Sequence, residues 1–197
     1  MLVGVDFDNT IVNYDALLHR LAVERGLACA ELPATKRSVK AALAPEDWAL
    51  LQAAAYGERI AEATAFPGAI EFFRHARERG VECAIVSHKT ERPVAGPDTD
   101  LRAAALGWMR AAGLVGELFG EDRVHFGATP AEKVEHVRRL ACTHFVDDHA
   151  DFLTEPEFPN GVVRILFDPA AEHARVPAGL ERARSWAEVE RLVLGTG

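Results

Sequence analysis

Two aspartates, Asp6 and Asp8, stand two residues apart in the stretch VDFDNT, close to the N-terminus. The residues before them, MLVGV, have the apolar pattern of a short buried strand. Two carboxylates this close repel each other, and a buried charge is unfavourable unless it is paired. We therefore expect a cation beside these two acids in the folded protein.

Further chemically active side chains follow later apolar runs. Ser87 ends the run in IVSHK, and Asp147 and Asp148 end the run in THFVDD, with Asp151 three residues beyond. Lys133 lies in GATPAEK. If the runs are parallel strands, their carboxyl ends meet at one edge of the sheet, where ligands bind in open α/β folds.

Lys133 falls in the first turn of a predicted helix. Thr129 suits the N-cap, Pro130 the first helical position, and Glu132 the third position of a capping box. A lysine at the positive end of a helix dipole is unfavourable in isolation. Nearby carboxylates are expected to compensate this charge.

The elements that position these groups alternate along the chain. Short apolar runs separated by helical patterns predict an α/β fold, with a parallel sheet covered by helices on both faces. The predicted strands are Leu2–Phe7, Val81–Ser87, Arg123–Phe126, Thr143–Val146 and Val162–Phe167. The predicted helices of this part are Gly68–Arg79, Leu101–Ala112, Ala131–Leu140 and Ser185–Leu194.

Residues 14–65 interrupt the alternation. They are rich in Ala and Leu and predict three helices, Tyr14–Arg25, Thr35–Leu43 and Glu46–Ala65. The pattern indicates a small all-helical subdomain inserted after the first strand. The alternative is a set of long crossover helices belonging to the main domain.

Four acids at one sheet edge need more positive charge than Lys133 supplies. A hard divalent cation with oxygen ligands would add it, and Mg²⁺ suits carboxylates, water and a substrate phosphate. The residues therefore predict a magnesium site that also accepts an anion.

The ordered set DFDNT, Ser87, Lys133 and Asp147-Asp148 resembles the four motifs of the haloacid dehalogenase (HAD) superfamily. Most members of that superfamily are Mg²⁺-dependent phosphatases. The resemblance implies a Rossmann-like core over residues 1–13 and 66–197, with a type 1 helical cap over residues 14–65.

The resemblance also implies roles for the site residues. Asp6 matches the nucleophile that forms an aspartyl-phosphate, and Asp8 matches the general acid and base. Ser87 would hydrogen-bond a phosphoryl oxygen, and Lys133 would neutralise charge on Asp6 and the phosphoryl group. The catalytic set implied is thus Asp6, Asp8, Ser87 and Lys133.

Metal and phosphate ligands follow from the same resemblance. Asp148 is expected to bind Mg²⁺ directly with support from Asp147, while Asp8 contributes its backbone carbonyl. The expected metal set is Asp6, Asp8, Asp147 and Asp148. The expected phosphate set is Asn9, Thr10, Ser87 and Lys133, together with His88, which is included because it borders the predicted site. The role of Asp151 is left open.

The stretch HKTERPVAGPDTD after Ser87 is longer than an ordinary connection between a strand and a helix. Lys89 and Arg92 in this loop are candidates to contact a second polar or anionic group of the substrate. A solvated surface loop is the alternative. Residues of the helical segment that can face the site are Tyr14, His19, Lys36, Arg37 and Tyr56.

Charge and hydropathy exclude some partners. The chain of 197 residues has 22 Lys and Arg against 30 Asp and Glu, a net charge of -8, which argues against nucleic acid or an anionic membrane as partner. We recognise no signal-peptide pattern and no apolar run near the roughly 20 residues of a membrane helix. A cytoplasmic location is expected.

These features predict a Mg²⁺-dependent phosphomonoester hydrolase for a small phosphorylated metabolite, with a sugar or polyol phosphate favoured. A nucleoside monophosphate phosphatase and a phosphomutase would keep the same residues. A phosphonatase would need a cap lysine, for which Lys36 and Lys40 qualify, whereas a dehalogenase would not keep an acid at position 8. From other classes, a receiver-like phospho-acceptor and a catalytically silent binding domain remain alternatives.

Overall fold

The computed structural model describes residues 1–195. Its strands are β1 (Leu2–Val5), β2 (Val12–Asn13), β3 (Thr64–Ala65), β4 (Glu82–His88), β5 (Val124–Gly127), β6 (His144–Asp147), β7 (Val163–Phe167) and β8 (Leu180–Ala183). Its α-helices are α1 (Asp15–Glu24), α2 (Lys36–Ala42), α3 (Pro45–Tyr56), α4 (Ala69–Glu78), α5 (Leu101–Ala111), α6 (Pro130–Arg139), α7 (Ala150–Leu153) and α8 (Trp186–Leu194). Short 3₁₀ turns are formed by Ile60–Glu62 and Glu121–Arg123.

The centre of the molecule is a six-stranded sheet in the order β5-β4-β1-β6-β7-β8. All of its neighbouring strands pair in parallel, which confirms the predicted α/β class. The chain winds outward from β1 to one side through β4 and β5, and to the other side through β6, β7 and β8. Such a reversal opens a crevice at the carboxyl ends of the central strands.

Strand β1 illustrates how the sequence sets the two faces of the sheet. Val3 and Val5 are fully buried in the apolar cluster on one face. Gly4 points to the other face, where a Cβ atom would lie 2.5 Å from the ring of Phe145. A larger residue at this position would therefore displace the aromatic packing beneath the sheet.

The predicted elements agree closely with the structure, with four differences, the first of which is that the short helix α7 was not predicted. The third helix of the helical segment ends at Tyr56 rather than Ala65, because Gly57 takes a backbone conformation outside the helical region. Strand β8 was not predicted. The antiparallel pair β2–β3, in which Val12 faces Ala65, joins the two ends of the helical segment and was also not predicted.

Helices α1, α2 and α3 lie within residues 14–65, as the Ala- and Leu-rich composition predicts. Their buried side chains, among them Leu18 and Leu51, belong to the same apolar cluster as Phe72 of α4. The indole nitrogen of Trp108 on α5 donates a 3.0 Å hydrogen bond to the carbonyl of Ala63. The helical segment is thus packed firmly against the α/β part. Among residues 1–195 there is no helix whose length and apolar character together would let it cross a membrane.

Candidate active site

The crevice at the carboxyl ends of β1, β4 and β6 holds a cavity of about 290 Å³, here called the acidic cavity. Asp6 follows β1, Ser87 lies near the end of β4, and Asp147 ends β6. The acidic cavity is lined by Asp6, Asp8, Asn9, Lys36, Gln52, Tyr56, Ser87, His88, Pro130, Lys133, Asp147, Asp148, His149, Asp151, Phe152 and Glu155. All four predicted catalytic residues therefore meet in one place.

Lys133 bridges two of the acids. Its Nζ donates to Asp6 Oδ1 at 2.7 Å and to Asp147 Oδ2 at 2.6 Å, with the side chain almost fully buried. Burial lowers the pKa of Lys133, but the charges of Asp147 and Asp6 raise it by more, so the pKa lies above its usual value. Lys133 is consequently a permanent positive charge at the floor of the cavity.

The start of α6 holds Lys133 in this position. The Thr129 hydroxyl accepts a hydrogen bond from Glu132 N, and the Glu132 carboxylate accepts one from Ala128 N, so both side chains of the predicted capping box are used. A Cβ atom on Gly127 would lie 2.8 Å from Lys133 N. Only glycine lets α6 begin this close to the end of β5.

Asp6 is buried, and its backbone NH donates to the carbonyl of Val146 at 2.9 Å. Burial raises the pKa of Asp6, Lys133 lowers it and Asp147 raises it again, which leaves it above its usual value. The Thr10 hydroxyl lies 3.5 Å from Asp6 Oδ2 and accepts a 3.1 Å hydrogen bond from Asp148 N. Thr10 thus ties the loop after β1 to the loop after β6.

Three carboxylates form a compact group that can hold a cation. One oxygen each from Asp6, Asp147 and Asp148 lies within 4.8 Å of the others. Both oxygens of Asp147 already accept hydrogen bonds, from Lys133 and from His149 N. Burial raises the pKa of Asp148 to about 8, with Lys36 lowering it and Asp147 raising it. The three carboxylates repel each other and offer hard oxygen ligands, and both properties suit a site for Mg²⁺.

The hydroxyl of Ser87 is buried beside this group. Among residues 1–195 it has no well-aligned hydrogen-bond partner, although it is near enough to Asp6 to contribute to lowering that acid's pKa. A buried polar atom without a partner is unfavourable and calls for an explanation. Since Ser87 also lines the acidic cavity, its hydroxyl is available to a ligand there.

Asp8 has different surroundings from the three grouped acids. Its Oδ2 lies 2.8 Å from Lys89 Nζ, and its Oδ1 accepts a 2.7 Å hydrogen bond from the hydroxyl of Tyr14. Lys89 is buried and lies over the rings of Phe7 and Tyr56. The Asp8 carboxylate is therefore held by Lys89 and Tyr14 and is not part of the group formed by the other three carboxylates.

The remaining predicted residues are placed as follows. Asn9 lines the cavity and adopts a left-handed backbone with φ of 61°, which asparagine tolerates better than most residues. Its amide donates to the Tyr56 hydroxyl at 3.3 Å. His88 and Asp151 also line the cavity, and His88 Nε2 lies 3.0 Å from the Ala128 carbonyl oxygen.

Arg92, a candidate for contacting substrate, is not brought to the cavity. Its guanidinium pairs with Asp98 at 3.4 Å and Glu91 at 3.9 Å on the exposed loop. These acids neighbour it in the sequence and hold it at the surface. Lys89, the other residue predicted to contact substrate, is paired with Asp8.

The helical segment contributes Lys36 and Tyr56 to the lining of the cavity, as well as the Tyr14 hydroxyl on Asp8. Lys36 Nζ lies 3.8 Å from Asp148 Oδ2. Burial lowers the pKa of Lys36, but Tyr56 and Asp148 raise it, so it exceeds the usual value. Of the other candidates, Arg37 lines a neighbouring cavity and His19 lines neither.

Sequence reasoning missed Phe152 and Gln52. The ring of Phe152 lies 4.3 Å from Lys133 Nζ, and Gln52 of α3 lines the cavity. Phe152 belongs to α7, a helix of four residues that has too few positions to show a periodic pattern. Gln52 sits among alanines and leucines, and nothing in its spacing marks it.

Solved structures share this architecture. A HAD-superfamily hydrolase of subfamily IA from Geobacter sulfurreducens superposes with a TM-score of 0.61 at 14% identity, over 98% of this chain and 95% of that one. YfnB from Bacillus subtilis, a HAD-hydrolase bound to magnesium, gives 0.59 at 14% identity over 98% and 97%. CbbY from Rhodobacter sphaeroides, in complex with phosphate, gives 0.56 at 18% identity over 95% of both chains.

These likenesses establish the fold: the chain has the fold of HAD-superfamily hydrolases along nearly its whole length. No family sequence model matches the chain, and no curated protein sequence does.

Proposed function

We propose that the protein is a Mg²⁺-dependent phosphomonoester hydrolase of the HAD superfamily that acts on a small phosphorylated molecule through an aspartyl-phosphate on Asp6. The observation that carries the proposal is the bridge from Lys133 to Asp6 and Asp147, beside the Ser87 hydroxyl, which has no hydrogen-bond partner in the described part of the chain. The Lys133 ammonium and the Ser87 hydroxyl flank the buried Asp6 carboxylate, and together they can bind the oxygens of a phosphoryl group.

The carboxylates of Asp6, Asp147 and Asp148 are the groups that would hold Mg²⁺. When bound, the ion would neutralise the acids and the charge on the phosphoryl oxygens. The comparisons support this assignment, since one structural neighbour binds magnesium and another binds phosphate. We favour Asp148 over Asp147 as the direct Mg²⁺ ligand, because both carboxylate oxygens of Asp147 already accept hydrogen bonds within the protein.

The chemistry is divided between two aspartates. The Asp6 carboxylate attacks phosphorus, the bond to the ester oxygen breaks, and Asp8, which enters this step in its protonated form, gives that oxygen its proton. Asp8 then takes a proton from water as the water attacks the aspartyl-phosphate, which releases phosphate and restores Asp6. During both steps Lys133 neutralises negative charge on Asp6 and the phosphoryl group, and Ser87 orients the phosphoryl group by a hydrogen bond.

Residues 14–65 act as a cap in this proposal. They supply Lys36, Tyr56 and Gln52 to the lining of the acidic cavity. A wall of this kind excludes water and large substrates. The size of the acidic cavity, about 290 Å³, suits a phosphoryl group with part of a small molecule rather than a phosphoprotein.

A screen of phosphorylated small molecules for phosphate release, with Mg²⁺ and with EDTA, tests the proposal. We expect hydrolysis that requires Mg²⁺ and that is lost in the Asp6→Asn variant. Stable phosphorylation of Asp6 without turnover would instead indicate a phospho-acceptor. Transfer of phosphate within a substrate, without release, would indicate a phosphomutase.

A further inference from the structure

A second cavity, of about 360 Å³, adjoins the acidic cavity. The two share Asp8, Gln52, Tyr56 and His88. The second is otherwise lined by Ala49, Ala53, Lys89, Thr90, Pro93, Val94 and Leu101, and it is here called the apolar cavity.

Asp8 lies where the two cavities meet. In an in-line displacement the leaving oxygen departs on the side of phosphorus opposite the nucleophile. The group that protonates this oxygen must lie within hydrogen-bond reach of it. If Asp6 attacks and Asp8 protonates, as in the proposed function on which this inference rests, the organic part of the substrate extends past Asp8 into the apolar cavity.

The walls of the apolar cavity set the chemistry of that organic part. The side chains of Ala49, Ala53, Leu101, Pro93 and Val94 are hydrocarbon, and the hydroxyl of Thr90 is already used in a hydrogen bond to the Arg92 carbonyl. The two charged residues of this cavity, Lys89 and the shared Asp8, are paired with each other, and the Lys89 side chain is only 2% exposed. Hydroxyls of a polyhydroxylated group that lay against these hydrocarbon side chains would lack hydrogen-bond partners, which is unfavourable.

The loop after β4 closes the outer side of this cavity. At Gly96 a Cβ atom would lie 3.4 Å from Ala53 Cβ and 3.6 Å from a methyl carbon of Leu50, so the loop rests on α3. Val94 is 98% exposed at the rim.

We infer that the substrate is the phosphomonoester of an apolar alcohol or phenol, whose hydrocarbon part occupies the apolar cavity. A phosphate ester whose organic part is hydrocarbon thus replaces the sugar or polyol phosphate expected from the sequence. The polar residues Gln52 and His88 lie at the junction with the acidic cavity, where the ester oxygen would be.

Three primary alkyl phosphates test this inference: ethyl phosphate, hexyl phosphate and a hexitol phosphate, each assayed with Mg²⁺. One added methylene in a hydrophobic pocket changes kcat/KM by roughly 10-fold or more, so we expect kcat/KM for hexyl phosphate to exceed both others by at least that factor. Hydrolysis with equal or better use of the hexitol phosphate overturns the inference and leaves the proposed function standing. Failure of all three esters overturns the inference, while the screen of phosphorylated small molecules decides the proposed function separately.

Two variants locate the preference. Ala49→Leu fills part of the apolar cavity, and Val94→Asp places a charge at its exposed rim, where folding is least affected. We expect each to lower the ratio of hexyl to ethyl phosphate kcat/KM by about 10-fold. Ala187→Leu, on the exposed face of α8, is the matched control and should leave the ratio unchanged. An unchanged ratio in both cavity variants overturns the inference.

Discussion

The ammonium of Lys89 lies 2.8 Å from one oxygen of Asp8 and 3.1 Å from the other. The lysine comes from the loop after β4 and the aspartate from the loop after β1. Tyr14, at the start of the helical segment, donates to the same carboxylate. The proposed general acid is therefore positioned jointly by the sheet edge and the helical segment.

Replacing Lys89 tests this positioning. Lys89→Met leaves Asp8 with Tyr14 alone, and loss of one partner of a buried ion pair typically destabilises a protein by about 3–5 kcal/mol. Misplacement of a catalytic group by about 1 Å can lower the rate about 10²-fold, so we expect kcat to fall by that order. Urea unfolding and steady-state kinetics measure the two effects.

The control is Arg92→Met, on the same loop but outside both cavities. Its partners Asp98 and Glu91 are exposed, so we expect a change of unfolding free energy within about 0.5 kcal/mol and little change in kcat. Equal loss of activity in the two variants would show that the loop acts through something other than the pair with Asp8.

The comparison of Lys89 and Arg92 also shows where sequence reasoning stops. Both stand in a charged loop after a strand, and the sequence offers the same interpretation for each. The fold separates them: Lys89 N donates to the carbonyl of Gly127 on β5, which turns its side chain inward, whereas Arg92 pairs with its own neighbours. Long-range backbone pairing of this kind has no local signature.

Other parts were predictable because local and global preferences agree. Thr129, Pro130 and Glu132 indicate the start of α6, and the structure puts that start within one residue of the prediction. The acids after β1 and β6 were expected to converge because parallel strands end at one edge. Strand β8 was missed because its sequence LERA has one fully buried residue and resembles no strand pattern.

The choice of metal ligand gives a second prediction. Asp148 belongs to the compact carboxylate group, whereas Asp151 lines the cavity from α7 and is not in that group. We expect Asp148→Asn to weaken Mg²⁺ binding by at least about 10-fold and Asp151→Asn to weaken it less, because loss of a ligand exceeds loss of a nearby charge. Isothermal titration with Mg²⁺ measures both. The reverse order would exchange the roles of the two acids.

A third prediction follows from the pKa of Asp148, which burial raises to about 8, against the opposing effect of Lys36. A carboxylate must lose its proton to bind Mg²⁺. The affinity for Mg²⁺ should therefore rise by up to about tenfold per pH unit and level off above the Asp148 pKa of about 8. Titrations across this range in the wild type, with Asp148→Asn as the control, measure the slope. A flat profile in the wild type contradicts the assignment.

The same pKa predicts the stability of the metal-free protein. The unfolded chain releases the proton of Asp148 near about pH 4, whereas the folded chain retains it up to the raised pKa of about 8. The native state binds more protons in this window, so the contribution of Asp148 to unfolding free energy decreases as pH rises through it. Thermal unfolding in EDTA should show a smaller decrease in Asp148→Asn than in the wild type. Equal pH dependence in both proteins would exclude Asp148 as the source.

The last prediction separates Asp6 from Asp8. Asp6→Asn removes the proposed nucleophile and leaves Lys133 in contact with Asp147, so activity should fall to background with no covalent intermediate. Asp8→Asn removes the proton donor and base, which is typically worth about 10²–10⁴-fold in rate. With an aryl phosphate, whose leaving group needs no protonation, phosphate should still transfer to Asp6 but leave slowly. Acid quench and mass spectrometry of the digested protein should then find phosphate on Asp6. Its absence there, with hydrolysis continuing, would mean that water attacks the substrate directly.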